Sequence, residues 1–203
     1  MTQQADLLVI GAGGHASVLL DELFTLGRPI RGILDTGIQV GTPMMGSSVI
    51  GDDRYLDSCP ADGIELVNGI GMLPSRPRRI EFFHEMTERG FQFASVVSNN
   101  ATLSPSVTLQ AGAQVMAGVV LQPNVMIGEN VVVNTGSSID HDCTLESNVW
   151  ISPGVTICGG VQIGRDSYIS AGAVILQNAN IKPGSVVRAG AVVKPSDPSC
   201  CFD

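Results

Sequence analysis

Residues 131–152, VVVNTGSSIDHDCTLESNVWIS, carry an aliphatic residue at every sixth position. The same spacing continues in both directions over seventeen positions: Val97, Leu103, Leu109, Val115, Leu121, Ile127, Val133, Ile139, Leu145, Ile151, Ile157, Ile163, Ile169, Ile175, Ile181, Val187 and Val193. A period of six matches neither the turn of an α-helix nor the two-residue alternation of a strand. It is typical of a hexapeptide solenoid, in which three short strands make a triangular coil of about eighteen residues. The tract therefore predicts roughly five stacked coils.

A second series of small or β-branched residues follows the aliphatic series four positions later and is also expected to point inward. Glycine, asparagine and aspartate recur near the predicted corners, where tight turns require unusual backbone angles. In this register Ile139 and Cys143 are inward positions, whereas His141 and Asp142 fall between them, near a corner. The tract has no structural need of these two polar residues, so we expect them to serve a function.

Residues 5–95 follow a different pattern, in which strands alternate with helices. DLLVIGAGGHASVLLDELFTLG predicts an apolar strand, a glycine turn and a helix, and IRGILD predicts a second strand that ends at Asp35. IELVNGIG predicts a third strand, and RRIEFFHEMTERG a helix closed by Gly90. The first helix offers apolar residues for packing: Val18, Leu19, Leu20, Leu23 and Phe24. We expect a small Rossmann-like α/β domain, β-α-β-α-β, over residues 1–95 and an all-β parallel β-helix over residues 96–203.

Composition argues against several classes of function. The net charge of −8 disfavours binding to nucleic acid or to anionic lipid. No apolar run is long enough to cross a membrane and the N-terminus lacks a basic signal-peptide region, so we expect a cytoplasmic protein without membrane insertion. The cysteines show no metal-binding spacing, and we expect buried thiols and no metal: Cys59, Cys143, Cys158, Cys200 and Cys201.

The repeat tract resembles the left-handed β-helix of hexapeptide-repeat acyltransferases. The combination of VIGAGGHASV, ILD and NTGSSIDHDC is similar to motifs of bacterial nucleotide-sugar acetyltransferases, which include UDP-4-amino-sugar N-acetyltransferases and sialic acid O-acetyltransferases. The resemblance covers almost the whole chain. It implies acetyl-CoA as co-substrate and a homotrimer, in which acetyl-CoA lies along the β-helix between neighbouring subunits.

The resemblance implies that His141, the histidine of the D-H-D/E-C block, is the catalytic base. The chemistry agrees, because an amino sugar arrives largely as ammonium, and an imidazole with a pKa of about 6.5 can accept its proton. Asp142 can accept a hydrogen bond from the other ring nitrogen and thereby fix the tautomer. Asn134 aligns with a site asparagine of the family and is assigned to the nucleotide sugar.

Contacts with acetyl-CoA are also implied by the resemblance. Gly159 aligns with the position whose backbone N–H faces the acetyl carbonyl, where an oxyanion develops; the other interpretation is a glycine needed only for a turn. Gly172, Ala173 and Ala189 align with residues that line the pantetheine groove. Trp150 stands where the family often has a second histidine at the acetyl donor, and its indole, which is not a base, is expected to make a contact only.

The glycine turn GAGGH follows a strand and opens a helix, where backbone N–H groups favour a phosphate. Alone it is a weak dinucleotide signal, because Ala16 stands at the third-glycine position of G-x-G-x-x-G. In the family the same elements hold a sugar nucleotide. The resemblance therefore implies Gly13, Gly14 and His15 at the diphosphate and Asp35 at the ribose.

Two stretches depart from the family pattern. NGIGMLPSRPRR carries Met72 and Leu73 where relatives have polar residues, so we expect a different sugar or base preference. The C-terminal stretch VVKPSDPSCCFD lacks the G-x-P-A-K segment that helps to contact CoA. Arg79 aligns with a basic family residue, with a solvated surface charge as the alternative, and His84 is interpreted as structural.

We therefore expect acetyl-CoA-dependent N-acetylation of a nucleotide-linked 4-amino-4,6-dideoxy sugar in bacterial surface glycan synthesis. UDP is favoured by its frequency in the family, with GDP and dTDP open. O-acetylation of sialic acid or a related sugar is an alternative that would use the same base and groove. A non-catalytic trimeric β-helix binding module is a third possibility, and an NAD-linked enzyme is disfavoured because it leaves the β-helix without a role.

Overall fold

The computed structural model describes residues 6–195, and the chain divides into two units between residues 96 and 97. Residues 1–5 and 196–203 lie outside the described residues; the latter include Cys200, Cys201 and the end of the C-terminal stretch that departs from the family pattern. The first unit is an α/β structure, and the second consists of short strands and turns.

A six-stranded sheet with two helices forms the first unit. Its strands lie in the order β3-β4-β2-β1-β5-β6, and every pairing is parallel except β3 with β4. The strands are β1 (Asp6–Ile10), β2 (Ile30–Leu34), β3 (Pro43–Met44), β4 (Ser47–Gly51), β5 (Ile64–Asn68) and β6 (Gln92–Phe93). The helices are α1 (Gly14–Thr25) and α2 (Arg78–Glu88), with a 3₁₀ helix at Asp53–Ser58.

The predicted strand–helix alternation is confirmed for β1, α1, β2, β5 and α2. The connection from β2 to β5 was not predicted, because a short hairpin and a 3₁₀ helix give no clear apolar periodicity. Leu19, Leu20 and Leu23 of α1 are fully buried as expected, but Val18 is 44% exposed and Phe24 is 71% exposed. These two side chains lie on the solvent side of the helix, so their expected role in packing is wrong.

The second unit repeats one structural step every six residues. The second residue of each strand is a member of the predicted aliphatic series, so the hexapeptide register is confirmed. The strands are β7 (Val96–Val97), β8 (Thr102–Leu103), β9 (Thr108–Leu109), β10 (Gln114–Val115), β11 (Val120–Leu121), β12 (Met126–Ile127), β13 (Val132–Val133), β14 (Ser138–Ile139), β15 (Thr144–Leu145), β16 (Trp150–Ile151), β17 (Thr156–Ile157), β18 (Gln162–Ile163), β19 (Tyr168–Ile169), β20 (Val174–Ile175), β21 (Asn180–Ile181), β22 (Val186–Val187) and β23 (Val192–Val193).

Each strand pairs in parallel with the third strand after it, as Ile139 does with Ile157 eighteen residues later. Three faces result. Face 1 contains β7, β10, β13, β16, β19 and β22; face 2 contains β8, β11, β14, β17, β20 and β23; face 3 contains β9, β12, β15, β18 and β21. The aliphatic residues and the second inward series form one continuous buried cluster. Burial of each valine, leucine or isoleucine side chain in this cluster stabilises the coil stack by about 1.5–3 kcal/mol.

Three edges join the faces, and each turn between residues 110 and 191 has one residue in the left-handed region of backbone space. On the first edge, between faces 1 and 2, these residues are Gly118, Gly136, Gly154, Gly172 and Gly190. On the second edge, between faces 2 and 3, they are Asn124, Asp142, Gly160 and Asn178. On the third edge they are Gly112, Asn130, Asn148, Asp166 and Gly184. Only glycine, asparagine and aspartate occur there, the residues that tolerate positive φ best.

Candidate active site

The second edge of the β-helix carries His141 and Asp142 at the protein surface, between β14 and β15. Asp142 occupies the left-handed position of this turn, with a φ of 61°. The turn therefore favours a residue such as aspartate at 142, and the expectation that the tract has no structural need of Asp142 is wrong. No such requirement applies to His141, whose side chain is 51% exposed.

Asp142 binds two different side chains with its two carboxylate oxygens. Nδ1 of His141 lies 2.7 Å from Oδ2, and Nδ2 of Asn124 donates to Oδ1 over 2.9 Å. The backbone N–H of His141 donates to Oδ1 of Asp140 over 2.8 Å. Because an ionised carboxylate only accepts hydrogen bonds, Nδ1 carries the ring proton and Nε2 is the basic nitrogen.

The neighbouring carboxylates make the imidazole more basic. The hydrogen bond to Asp142 raises the pKa of His141 above 6.5, and the negative charges of Asp140 and Asp142 act in the same direction. Conversely, the hydrogen bonds from Asn124 and then from His141 hold the pKa of the Asp142 carboxyl below its ordinary value. An exposed Nε2 on such a ring can accept a proton from an amine that is bound beside it.

The His141 imidazole lies against Gly159, which is one coil further along the same edge. A Cβ atom built at Gly159 would lie 2.7 Å from both Cε1 and Nε2 of the ring. The left-handed position of this turn is the next residue, Gly160, with a φ of 71°. Glycine is therefore required at 159 by the imidazole, which rules out the interpretation as a glycine needed only for the turn.

The two faces that meet at the second edge each carry a surface cleft. The cleft on face 2 has a volume of about 210 Å³, and Asp140, Ser138 and Cys158 are among its lining residues. The cleft on face 3 has a volume of about 400 Å³ and is lined in part by Glu146 and Arg165. The face 2 cleft reaches the His141 corner through Asp140 and Cys158, whereas the face 3 cleft lies towards the third edge. Concave surface therefore adjoins the corner on its face 2 side, where the groups of a substrate can approach.

Other residues predicted for the site lie on the first edge. Asn134 donates from Nδ2 to the backbone oxygen of Ile151 over 2.8 Å, so its amide links two coils. Gly172 and Ala189 are exposed, whereas Ala173 is buried at 0% exposure and its backbone N–H and oxygen are already hydrogen-bonded to Ser170 and Thr156. Within one chain, these residues are on a different edge from His141.

Trp150 belongs to β16 on face 1, which is not one of the faces joined by the His141 corner. Its indole is 8% exposed and stacks on Tyr168, with the ring centroids 6.3 Å apart and the planes at 2°. The two aromatic residues occupy equivalent positions in adjacent coils. The structure thus gives Trp150 a packing role, and a contact with the acetyl donor stays a prediction.

In the first unit, Asp35 holds the glycine turn that precedes α1. Its Oδ2 accepts from the backbone N–H of Ala12 over 2.7 Å, and its Oδ1 accepts from the N–H groups of Gly37 and Ile38 at 2.8 and 3.0 Å. The helix begins at Gly14 without a side-chain cap, and the Cβ positions of Gly13 and Gly14 face open space. The turn therefore leaves N–H groups at the start of α1 accessible to an anion.

Arg79 is buried, at 1% exposure, so its interpretation as a solvated charge is wrong. Nη1 donates to the backbone oxygens of Asn68 and Ile70 at 2.7 and 2.9 Å. Burial lowers the pKa of Arg79 to about 9, which still leaves the side chain charged at neutral pH. The guanidinium fixes the loop after β5, where Gly69 packs against the backbone oxygen of Ile10 and against Ala16.

The thiols differ in exposure. Cys143 is buried and burial raises the pKa of its thiol, but Cys59 and Cys158 are only half-buried, contrary to expectation. Within residues 6–195, no group of three or more metal-ligating side chains is arranged to hold a metal ion. None of the described helices is long and apolar enough to cross a membrane.

Sequence reasoning did not single out Asn124 or Asp140. Asn124 contacts Asp142 because the two residues are eighteen positions apart and occupy equivalent places in adjacent coils. The signal was available, since the same eighteen-residue step relates His141 to Gly159. Asp140 is adjacent to His141 in sequence, but the D-H-D/E-C block alone gives it no separate role.

The sequence and fold match known transferases. A family profile described as bacterial transferase hexapeptide (six repeats) matches residues 142–177. One similar structure is a variant of perosamine N-acetyltransferase from Caulobacter crescentus, with a histidine replaced by asparagine, in complex with CoA and GDP-perosamine. It matches with a TM-score of 0.85 and 30% identity, over 93% of this chain and 88% of that chain. The acetyltransferase domain of PglB from Neisseria gonorrhoeae has a TM-score of 0.86 and 32% identity, over 96% and 94%. The chain belongs to the hexapeptide-repeat sugar acetyltransferases.

The match to these acetyltransferases confirms the predicted fold, which is a Rossmann-like α/β unit followed by a left-handed parallel β-helix. WeeI from Acinetobacter baumannii shares the fold at 24% identity, with a TM-score of 0.72 over 93% of each chain. A comparison with curated protein sequences gave no match.

Proposed function

We propose that this acetyltransferase transfers the acetyl group of acetyl-CoA to the amino group of a nucleotide-linked 4-amino-4,6-dideoxy sugar, with His141 as general base. The observation that carries the proposal is the His141–Asp142 pair, whose Nε2 lies against the backbone of Gly159. Support for the substrates comes from a relative at 30% identity that was solved with CoA and GDP-perosamine. Acetyl-CoA as co-substrate and a role in surface glycan synthesis in the cytoplasm are parts of the same proposal.

The reaction follows from the geometry of the pair. Nε2 of His141 takes one proton from the ammonium group of the sugar, and the freed amine attacks the thioester carbonyl carbon. The carbonyl oxygen becomes an oxyanion, and the N–H of Gly159 is the proposed donor to it. Among residues 6–195, no hydrogen bond uses that N–H. Collapse breaks the carbon–sulfur bond, and the imidazolium returns its proton to the departing thiolate. The nitrogen loses its second proton to solvent as the amide forms, so the sugar ammonium and acetyl-CoA give the amide, the CoA thiol and one released proton.

The nucleotide is assigned to the first unit. Gly13, Gly14 and His15 at the start of α1 provide N–H groups for the diphosphate. Asp35, which already accepts three backbone N–H groups, has a carboxylate with further acceptor capacity for the ribose. UDP was favoured on family frequency, and the GDP-sugar in the Caulobacter crescentus enzyme makes GDP an equal candidate for testing.

A homotrimer is proposed for the assembly. His141 and Asp142 lie on the second edge, whereas Asn134, Gly172 and Ala189 lie on the first edge of the same chain. A site that uses both edges therefore requires a second subunit. Size-exclusion chromatography with light scattering tests this, and a monomer with full activity would refute a site shared between subunits.

The test of the proposed function is acetyl-CoA-dependent thiol release with UDP-, GDP- and dTDP-linked 4-amino sugars, together with mass spectrometry of the product. We expect a mass gain of one acetyl group with at least one sugar. His141→Asn should lower turnover by about 10²-fold or more. His84→Asn, an exposed histidine on α2, is the matched control and should leave turnover unchanged.

Three outcomes would contradict the proposal. Full turnover by His141→Asn would remove His141 as the base while leaving the acetyltransferase activity in place. Release with sialic acid but with no nucleotide-linked amino sugar would replace N-acetylation by O-acetylation. Absence of release with every acceptor would favour a non-catalytic β-helix module.

A further inference from the structure

A chain of hydrogen-bonded side chains runs along the second edge and ends at the proposed base. Nδ2 of Asn124 donates to Oδ1 of Asp142 over 2.9 Å, and Oδ2 of Asp142 lies 2.7 Å from Nδ1 of His141. We propose that Asn124 is a positioning residue for His141, acting through Asp142. This inference rests on the proposed function, because it assigns the role of Asn124 in terms of the same base.

The backbone fixes Asn124 in the place from which it can act. Its φ of 62° makes it the left-handed residue of its turn, one coil before the left-handed Asp142. Its own N–H donates to the hydroxyl oxygen of Ser106 over 2.9 Å, and the N–H of Asp142 donates to the backbone oxygen of Pro123 over 3.0 Å. The Asn124 amide and the Asp142 carboxylate are thus held face to face by the stacking of adjacent coils.

The consequence concerns the orientation of the Asp142 carboxylate. This side chain is 57% exposed, so packing alone does not fix its rotation. The Asn124 amide occupies Oδ1 and leaves Oδ2 directed at the imidazole. It also favours the ionised carboxylate, since its hydrogen bond is the main cause of the lowered pKa of Asp142. An ionised and oriented carboxylate keeps the proton on Nδ1 and leaves Nε2 free to act.

The third edge has the same ladder without a histidine. Nδ2 of Asn130 donates to Oδ1 of Asn148 over 2.9 Å, and Nδ2 of Asn148 donates to Oδ1 of Asp166 over 2.9 Å. Asn130 also has positive φ, and it lies in the same coil as Asn124. Asn130 is buried whereas Asn124 is exposed, so Asn130 provides a demanding control, in which an amide hydrogen bond of the same length is removed away from His141.

The experiment compares wild type, Asn124→Gly and Asn130→Gly. Glycine keeps the left-handed backbone at either position and removes only the side chain. The ring nitrogens of His141 are titrated by NMR, with Asp140 and Asp142 as the charged groups that act on the ring. Steady-state kinetics are measured in parallel on the intact protein.

In Asn124→Gly, we expect the His141 pKa to fall towards its ordinary value and the two tautomers to mix. We expect kcat to fall about fivefold, the factor that corresponds to one net hydrogen bond, with both KM values unchanged. Asn130→Gly should leave the His141 titration and kcat unchanged, although removal of its hydrogen bond lowers stability. Asn124→Asp keeps the left-handed backbone but places a second carboxylate against Asp142, and it should lower kcat further.

The inference is overturned if Asn124→Gly titrates like wild type, or if its titration changes without any loss of kcat. An equal loss of kcat in Asn130→Gly would overturn it as well, because the effect would then be a general one of weakened coils. Failure of the proposed function is separate: it is indicated by full turnover of His141→Asn, whereas failure of this inference leaves His141→Asn inactive.

Discussion

Replacing Gly159 with alanine should displace the His141 imidazole while keeping the turn intact. The new Cβ would lie 2.7 Å from Cε1 and Nε2 and 3.2 Å from Cδ2 of the ring. Ordinary van der Waals contact begins at 3.4 Å, so the ring must move by at least 0.7 Å, the difference between 3.4 and 2.7 Å. Because Gly159 is not the left-handed residue of its turn, alanine can adopt its backbone conformation.

A shift of this size acts directly on catalysis. Misplacement of a reacting group by about 1 Å costs on the order of 10²-fold in rate. We therefore expect kcat/KM of Gly159→Ala to fall about 10²-fold, which corresponds to about 2.7 kcal/mol of transition-state stabilisation. Alanine retains the backbone N–H at 159, so this loss does not come from removal of the proposed oxyanion donor.

The assay is thiol release by four proteins: wild type, Gly159→Ala, His141→Asn and the double variant. If the alanine acts through the imidazole, adding Gly159→Ala to His141→Asn should lower kcat/KM further by less than about threefold. The reason is that the two changes remove the same interaction. Circular dichroism and thermal unfolding check that the β-helix is intact. Full activity of Gly159→Ala, or an undiminished 10²-fold loss in the His141→Asn background, would refute the reasoning.

Two further predictions test the carboxylates. In the wild type, kcat/KM should fall as pH drops through the pKa of His141, which the hydrogen bond to Asp142 raises above 6.5. Asp142→Asn keeps the left-handed turn but removes the charge. The pH–rate profile of this variant should therefore show its acid limb at lower pH and a plateau of kcat/KM about tenfold lower. An unmoved acid limb would contradict this. Asp35→Ala removes the acceptor of three backbone N–H groups, including that of Ala12. It should raise KM for the nucleotide sugar about tenfold and leave KM for acetyl-CoA unchanged. A parallel rise of both KM values would count against a nucleotide site at this turn.

The β-helix could be predicted from sequence because one periodicity determines both its core and its corners. An aliphatic residue at every sixth position gives the inward direction, and the strands end at those residues. The same register correctly placed His141 on a turn. It did not reveal that Asp142 also meets the backbone requirement of that turn, since positive φ is a property of the folded corner and not of the hydrophobic pattern.

The contacts between coils were harder to predict. Gly159 was assigned by resemblance to a backbone N–H, yet the structure explains its identity by the imidazole that lies against it. The contact of Asn124 with Asp142 requires the eighteen-residue step to be applied to polar residues as well as to the core. The surroundings of Arg79 could not be predicted either. A charged residue next to a helix start is expected in solvent, and only the fold reveals the backbone oxygens that accept hydrogen bonds from it.

The three-sided coil also restricts how the length of this chain can change. Inserting one hexapeptide between Asn124 and Gly159 would preserve the inward register and the core, but it would rotate everything that follows by one face. Depending on the point of insertion, either Asn124 or Gly159 would then lie on a different edge from His141. A whole coil inserted within residues 124–160 would keep these residues on one edge, but it would still separate neighbours that now touch. Outside that segment, coils added at either end of the β-helix would leave Asn124, His141 and Gly159 in their present contacts.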